Sequence, residues 1–321
     1  MNRRHLLRTL LATGAMGVLG VSAHAADAYP SKPIKILVPY AAGGVVDVQT
    51  RAMTQTMAEV LKAAIVVEPK PGASGSIAAE AVSLAAPDGY TLIVSASFLN
   101  AAPLLETNLR WSPKQFTPIG RFALSPSYFT VPATSPARTV KEFVDMAKKS
   151  AKPLQYANGG NGTPQQISNE LFAREAGIHL EPVMYKGAPP SVPDLINGLV
   201  AMGVMPSSVA HAQVNGGKLR ALANMSNARS AQLPDVPTIA EAGYPGSTVL
   251  SWYGLHAPAG TPPEVIRVLE TAMRQACASA EVKQRLIAAG GEEAFMGTKD
   301  FTAFLSKDAQ QWAHAVKVIS K

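Results

Sequence analysis

Two glycine-containing junctions, each after a β-like run and before a helical pattern, are where this chain could do chemistry. The first is Tyr40-Ala41-Ala42-Gly43-Gly44-Val45-Val46-Asp47. Glycine lets a backbone come close to a ligand, and a helix start offers amides without internal acceptors and a partial positive charge. Those properties suit an anion such as a carboxylate, with no lysine or arginine required. Asp47 has two roles open to it: capping the helix start or touching the ligand. An ordinary tight turn is the other reading of the same residues. The second junction is Asn158-Gly159-Gly160-Asn161-Gly162-Thr163-Pro164. Here Thr163 is placed to cap a helix and Pro164 to begin it, while the glycines supply backbone donors for a second anionic group. Between the two, Ser95 and Ser97 end a β-like run, where α/β sheets present ligand-binding groups; a polar loop explains them equally. Lys186, before Gly187, is placed either to pair with an anion or to sit in a solvated turn.

Catalysis is poorly served. Beyond residue 25 the histidines are His179, His211, His256 and His314, without metal-ligand spacing. H-E-x-x-H, G-x-S-x-G and G-x-x-x-x-G-K are all missing, and Gly72-Ala73-Ser74-Gly75-Ser76 lacks the last glycine of a nucleophile elbow. The expectation is a binding protein with no catalytic residue, no metal and no cofactor.

Residues 1–25 are of another kind. Arg3-Arg4, an apolar run from Leu10 to Val21 and the small-residue site Ala23-His24-Ala25 make an export signal, cleaved after Ala25. The run is too short to span a bilayer core of about 30 Å. Arg3-Arg4 with His5-Leu6-Leu7 is similar to a twin-arginine signal, although ordinary signals also begin with basic residues. The expected location is the periplasm. Losing three arginines with this segment lowers the formal net charge from +7 to +4. Only 16% of residues are charged and no run of Lys or Arg reads as a nucleic-acid or membrane patch, which speaks against a nucleic-acid partner.

The elements that must position the junctions can be read from periodicity. Strands at 34–39, 65–67 and 90–95 alternate with helices, the first carrying Val48, Ala52, Met53, Met57 and Val60 on its apolar side and the second Ile77, Ala81 and Val82. Such alternation means βαβ units and a mostly parallel sheet. The middle repeats the plan, with helices through Phe143 and Leu171 and strands at 154–156, 183–185, 200–205 and 219–223. The tail is helical. Two extended stretches, Phe122 to Thr134 and Ser247 to Pro258, stand apart as crossovers. The reading is an α/β fold: a discontinuous first lobe, 26–125 and 250–321, wrapped around a continuous second lobe, 126–249. Cys277, the single cysteine, falls in a helix-spaced apolar set with Val265, Ile266, Leu269 and Met273 and reads as a buried thiol; it has no partner for an internal disulfide.

Read in order, the segments resemble the Bug-type periplasmic receptors of tripartite tricarboxylate transporters. The matches are Tyr29-Pro30-Ser31-Lys32-Pro33-Ile34, Val38-Pro39-Tyr40-Ala41-Ala42-Gly43-Gly44, Pro71-Gly72-Ala73-Ser74-Gly75 and Ala86-Pro87-Asp88-Gly89-Tyr90-Thr91-Leu92. They continue through Gly160-Asn161-Gly162-Thr163-Pro164, Tyr185-Lys186-Gly187-Ala188, Leu233-Pro234-Asp235-Val236-Pro237-Thr238 and Ser251-Trp252-Tyr253-Gly254. The resemblance implies a periplasmic binding protein-like fold (type II, Venus flytrap) of two α/β lobes joined by two crossover strands. It implies a monomer that closes on a small organic carboxylate and delivers it to the membrane components of a tripartite tricarboxylate transporter. By position it implies ligand contacts from Tyr40, Ala42, Gly43, Val46, Asp47, Ser95 and Ser97 in the first lobe. From the second come Asn161, Gly162, Thr163, Gly187 and Ser207. The chain departs from the family pattern at Val46, where members often carry threonine, and at Ala201 and Met205, where they often carry acids. Missing acids argue against an amino group on the ligand, and Tyr40, Phe98 and Met205 favour an apolar or aromatic acid. An exported α/β hydrolase-like enzyme, which needs a nucleophile with a positioned base, and a ligand sensor docking on a signalling partner are the other classes.

Overall fold

The structure, a computed structural model, describes residues 29–160, 163–185 and 187–319. The export segment expected at 1–25 lies outside the described residues. The chain runs β1 (Ile34–Val38), α1 (Val45–Leu61), β2 (Ile65–Pro69), α2 (Ser76–Ser83), β3 (Thr91–Ser95), α3 (Phe98–Leu105), β4 (Phe116–Leu124) and β5 (Ser127–Pro132). It continues through α4 (Val140–Lys149), β6 (Leu154–Asn158), α5 (Pro164–Glu175), β7 (Leu180–Met184), α6 (Val192–Ile196), β8 (Met202–Pro206), α7 (Ser207–Asn215) and β9 (Leu219–Asn224). The last part holds β10 (Trp252–Pro258), α8 (Pro263–Ala278), α9 (Ala280–Ala288), β11 (Glu292–Gly297) and α10 (Thr298–Ile319).

Two sheets organise these elements, ordered β11-β4-β10-β3-β1-β2 and β7-β6-β8-β5-β9, and each with its helices forms a lobe. Both have a parallel part, β1 with β2 and β3 in one and β6 with β7 and β8 in the other. The sheets are nonetheless mixed rather than mostly parallel. β10 runs against both its neighbours, β3 and β4, and β5 runs against β8 and β9. A helical crossover enforces parallel pairing only on the strands it joins, and β5 and β10 enter their sheets along the connections between lobes.

Each lobe has its own core. In the first, Ile34, Ile36 and Val38 of β1 pack with Met53 and Met57 of α1 and Leu269 and Met273 of α8. In the second, Phe129 meets Phe143 and Phe172 edge-on, with ring centroids 5.1 and 4.9 Å apart, an arrangement favoured by the ring quadrupoles. The packed face of α1 is rotated from the one its apolar residues suggest. Val48 and Val60 are exposed, whereas Val46, Gln49, Thr50, Met53 and Met57 are buried. Gln49 donates from Nε2 to the Ala289 carbonyl at 3.2 Å, so polar residues occupy positions that a search for apolar periodicity passes over. On α2, likewise, Ile77 is exposed and Ala78, Ala79 and Val82 are buried.

Cys277 is buried in the first core, and burial, reinforced by Glu293, pushes its thiol up to about 12. Because the thiolate is the nucleophile, native protein at pH 8 is expected to give no reaction with a disulfide reagent such as DTNB, and one thiol per chain after unfolding in urea.

The lobes meet at two adjacent connections. The Ser125 amide donates to the Ser251 carbonyl at 2.8 Å, tying one connection to the other. Gln165, in the first turn of α5, donates from Nε2 to Ser127 Oγ at 2.8 Å and Ser251 Oγ at 3.4 Å, fastening that helix to both.

Candidate functional site

A cavity of about 660 Å³ opens between the lobes. The first lobe lines it with Tyr40, the α1 start at Val45 and Val46, Ser97, and one face of α3 including Phe98, Ala101, Ala102 and Leu105. The second lobe contributes Pro206 and the α5 start from Thr163 to Ile167, the connections supply Ser125 and Ser251, and β10 adds Tyr253. Two helix N-termini from opposite lobes therefore face one space.

At the first of them Gly43 adopts φ +73°, a left-handed conformation open to glycine at little cost. Gly44 is the N-cap of α1 and has no side chain to satisfy the helix start. Asp47 instead fastens the loop ahead of the cap: its Oδ2 accepts from the Gly43 amide at 2.9 Å, and its carboxylate takes the Arg51 guanidinium at 3.0 Å. Burial alone would raise the Asp47 carboxyl; the Arg51 and Gly43 bonds outweigh it and hold the group below the usual carboxylate range. Asp47 is thus buried and committed to the loop and Arg51. The amides of Val45, Val46 and Asp47, in the first turn, have no acceptor within the helix.

The second start is capped as its sequence suggests. Thr163 Oγ1 accepts from the Gln166 amide at 3.2 Å and donates to the Gly160 carbonyl at 2.9 Å, and Pro164 opens α5. Thr163→Ala is expected to lower stability by about 1 kcal/mol, measured by urea denaturation; an unchanged midpoint would show that the cap contributes nothing.

Of the twelve residues singled out from sequence, the structure brings Tyr40, Val46, Ser97 and Thr163 together on the cavity wall. Ala42 and Gly43 are exposed on the loop before α1. Ser95 is fully buried, its Oγ 2.7 Å from Nδ1 of His256 on β10. Ser207 is fully buried and donates to the Gly290 carbonyl. Gly187, at φ +95°, donates its amide to the Gly159 carbonyl at 2.9 Å, so two glycine loops pack backbone to backbone. Asn161, Gly162 and Lys186 lie outside the described residues. Met205 is buried in the second lobe among Tyr128, Ala157 and Leu195, and its neighbour Pro206 reaches the cavity. Sequence reasoning passed over Val45, Ala101, Ala102, Gln165, Ser125 and Ser251. Their one advance sign was position: Gln165 follows the Thr163-Pro164 cap, and the two serines fall within the extended crossovers.

The cavity's chemistry is that of neutral donors on an apolar wall. Burial, and then the neighbouring Tyr253 phenol, raises Tyr40 well above the usual range; burial pushes Tyr253 up to about 12. Both phenols stay protonated at neutral pH and able to donate. Among the described lining residues there is no lysine, arginine or histidine, and Glu106 is the one acid. An anion here is met by amides, hydroxyls and phenols, and its body by Phe98, Ala101, Ala102, Leu105 and Ile167.

Comparison with known proteins agrees with this arrangement. The family described as "Tripartite tricarboxylate transporter family receptor" matches residues 49–320. BugT of Bordetella pertussis is 31% identical over 301 residues, covering 91% of this chain and 90% of BugT. Among solved structures, R. palustris Rpa4515 with adipate superposes with a TM-score of 0.80 at 28% identity, covering 91% of this chain and 98% of the other. MatC from Rhodopseudomonas palustris with bound malate gives 0.74 at 30% identity, covering 90% and 100%. These neighbours are receptors rather than enzymes, and they share the periplasmic binding protein fold of two α/β lobes. Among the described residues no helix is long and apolar enough to cross a membrane. With a family match over most of its length and the two-lobed cleft to go with it, this chain belongs to the tripartite tricarboxylate transporter receptor family.

Proposed function

We propose that this protein is a periplasmic receptor that captures a small organic carboxylate by closing its two lobes and delivers it to the membrane components of a tripartite tricarboxylate transporter. The observation that carries this reading is the pair of helix starts, α1 and α5, facing one cavity from opposite lobes. A ligand touching both favours the closed state over the open one, as population shift requires. Tyr40, Val46, Ser97 and Thr163 contact the ligand, joined by Gln165, Ser251 and Tyr253. The relatives with adipate and malate support a carboxylate as the class. The apolar face of α3 supports a ligand with an apolar or aromatic body, in place of one carrying an ammonium group.

The test is a thermal-shift panel of aliphatic, aromatic, hydroxy and amino acids on purified protein, with native mass spectrometry for a co-purified acid. A ligand at 100 times its Kd adds about 2.7 kcal/mol by mass action, so an apolar or aromatic acid is expected to raise Tm clearly. No shift from any carboxylate would overturn the ligand class, and glutamate or aspartate as the strongest binder would overturn the apolar preference.

A further inference from the structure

A second cavity, of about 620 Å³, lies across one apolar septum from the cleft. The septum is a single cluster of Ala101 from α3, Ile167 and Leu171 from α5, and Trp312 and Ala315 from α10. Ala101 and Ile167 face the cleft; Leu171, Trp312 and Ala315 line the second cavity. Its far wall is the segment Thr248-Val249-Leu250, so it is bounded by α10 of the first lobe and α5 of the second. Its volume falls within the range of small-molecule sites.

The lining has the character of a site. Lys307, Gln311 and His314 lie at i, i+4 and i+7 on α10 and so share one face of the helix. Lys307 makes no ion pair among the described residues. Asp308 also borders the cavity, but its Oδ2 accepts from Asn100 Nδ2 of α3 at 2.7 Å, which commits the carboxyl to the fold. A free cation, amide donors and an apolar floor are together complementary to a molecule with one charged end.

We propose that this cavity is a second ligand site, for a small amphipathic organic anion whose charged end meets Lys307 and whose apolar body lies on Leu171, Val249 and Trp312. Ile167 and Leu171 sit on successive turns of one helix, so whatever fills the second cavity bears on the wall of the first. The site stands apart from the carboxylate reading of the cleft, and its test needs no cleft ligand.

The probe is the aryl sulfonate dye 8-anilinonaphthalene-1-sulfonate, followed by its own emission and by energy transfer from tryptophan, with Trp312→Phe identifying the share that comes from Trp312. Wild-type protein is expected to bind the dye saturably. Lys307→Glu, at an exposed position, is expected to weaken binding about tenfold or more, which corresponds to about 1.4 kcal/mol. Val249→Trp, which fills the cavity, is expected to remove it, with circular dichroism and Tm checking the fold. Val45→Trp, which fills the cleft instead, is expected to leave dye affinity within about twofold. The proposal is overturned if the wild type shows no saturable binding, if Lys307→Glu binds as the wild type does, or if Val45→Trp alone loses the dye.

Discussion

Val45→Trp is expected to abolish ligand-induced stabilisation while leaving the fold intact. Val45 is the first residue of α1, half-exposed, and its side chain lines the cleft. An indole there projects into the space the proposed carboxylate takes and covers first-turn amides without disturbing a packed core. The loss should be at least about 100-fold in affinity, or about 2.7 kcal/mol, read by calorimetry with whichever carboxylate gives the largest shift in the panel. Val48→Trp is the control: Val48 lies on the same helix, is 42% exposed and does not line the cavity, so its affinity should match that of the wild type. Equal affinity in Val45→Trp would place the ligand somewhere other than between the α1 and α5 starts.

The second large effect concerns acid. His256 is buried beside Phe301, with Nδ1 against the Ser95 hydroxyl, and burial pushes its imidazole down to about 3. Between that value and about 6.5 the unfolded chain binds a proton that the folded one refuses. His256 therefore contributes stability that is present above about pH 6.5 and lost on acidification, at about 1.4 kcal/mol per pH unit. Asp308 works the other way. Burial raises its carboxyl to about 6, against the bond that Asn100 donates to it. Below its unfolded value near 4 its contribution is fully present, and it is lost as pH rises through about 6. From pH 6 to 4 the two contributions oppose each other and largely cancel in the wild type. His256→Asn removes one side of the balance, so relative to the wild type it should gain about 2.7 kcal/mol in going from pH 6.5 to 4.5. Asp308→Asn should diverge in the opposite direction below pH 6. Urea denaturation across this range measures both, and variant curves that run parallel to the wild type would show that neither group is held away from its ordinary titration.

Much of the fold was legible because its cues are local. The alternation of strands and helices, the Thr163-Pro164 start of α5 and the buried setting of Cys277 each depend on residues within a turn or two. The packed face of α1 was not legible: Gln49 and Thr50 are buried by α8, α9 and the loop at Ala289, over 200 residues away, and Val48 is left in solvent. The antiparallel entry of β5 and β10 was hidden for a related reason, since strand direction follows from where a connection returns and not from the strand's own pattern.

The site divides along the same line. The sequence by itself determined that two glycine-bearing helix starts exist, that neither brings a catalytic pair, and that small hydroxyls stand near them, because backbone freedom and capping are properties of a few consecutive residues. Only the tertiary structure decided which hydroxyls face the cleft. Ser95 and Ser97 are two residues apart, yet Ser95 is turned to His256, 161 residues further on, while Ser97 lines the cavity; Ser207 is taken by Gly290, 83 residues away. A buried hydroxyl points where its hydrogen-bond partner is, and the chain places those partners only when it folds.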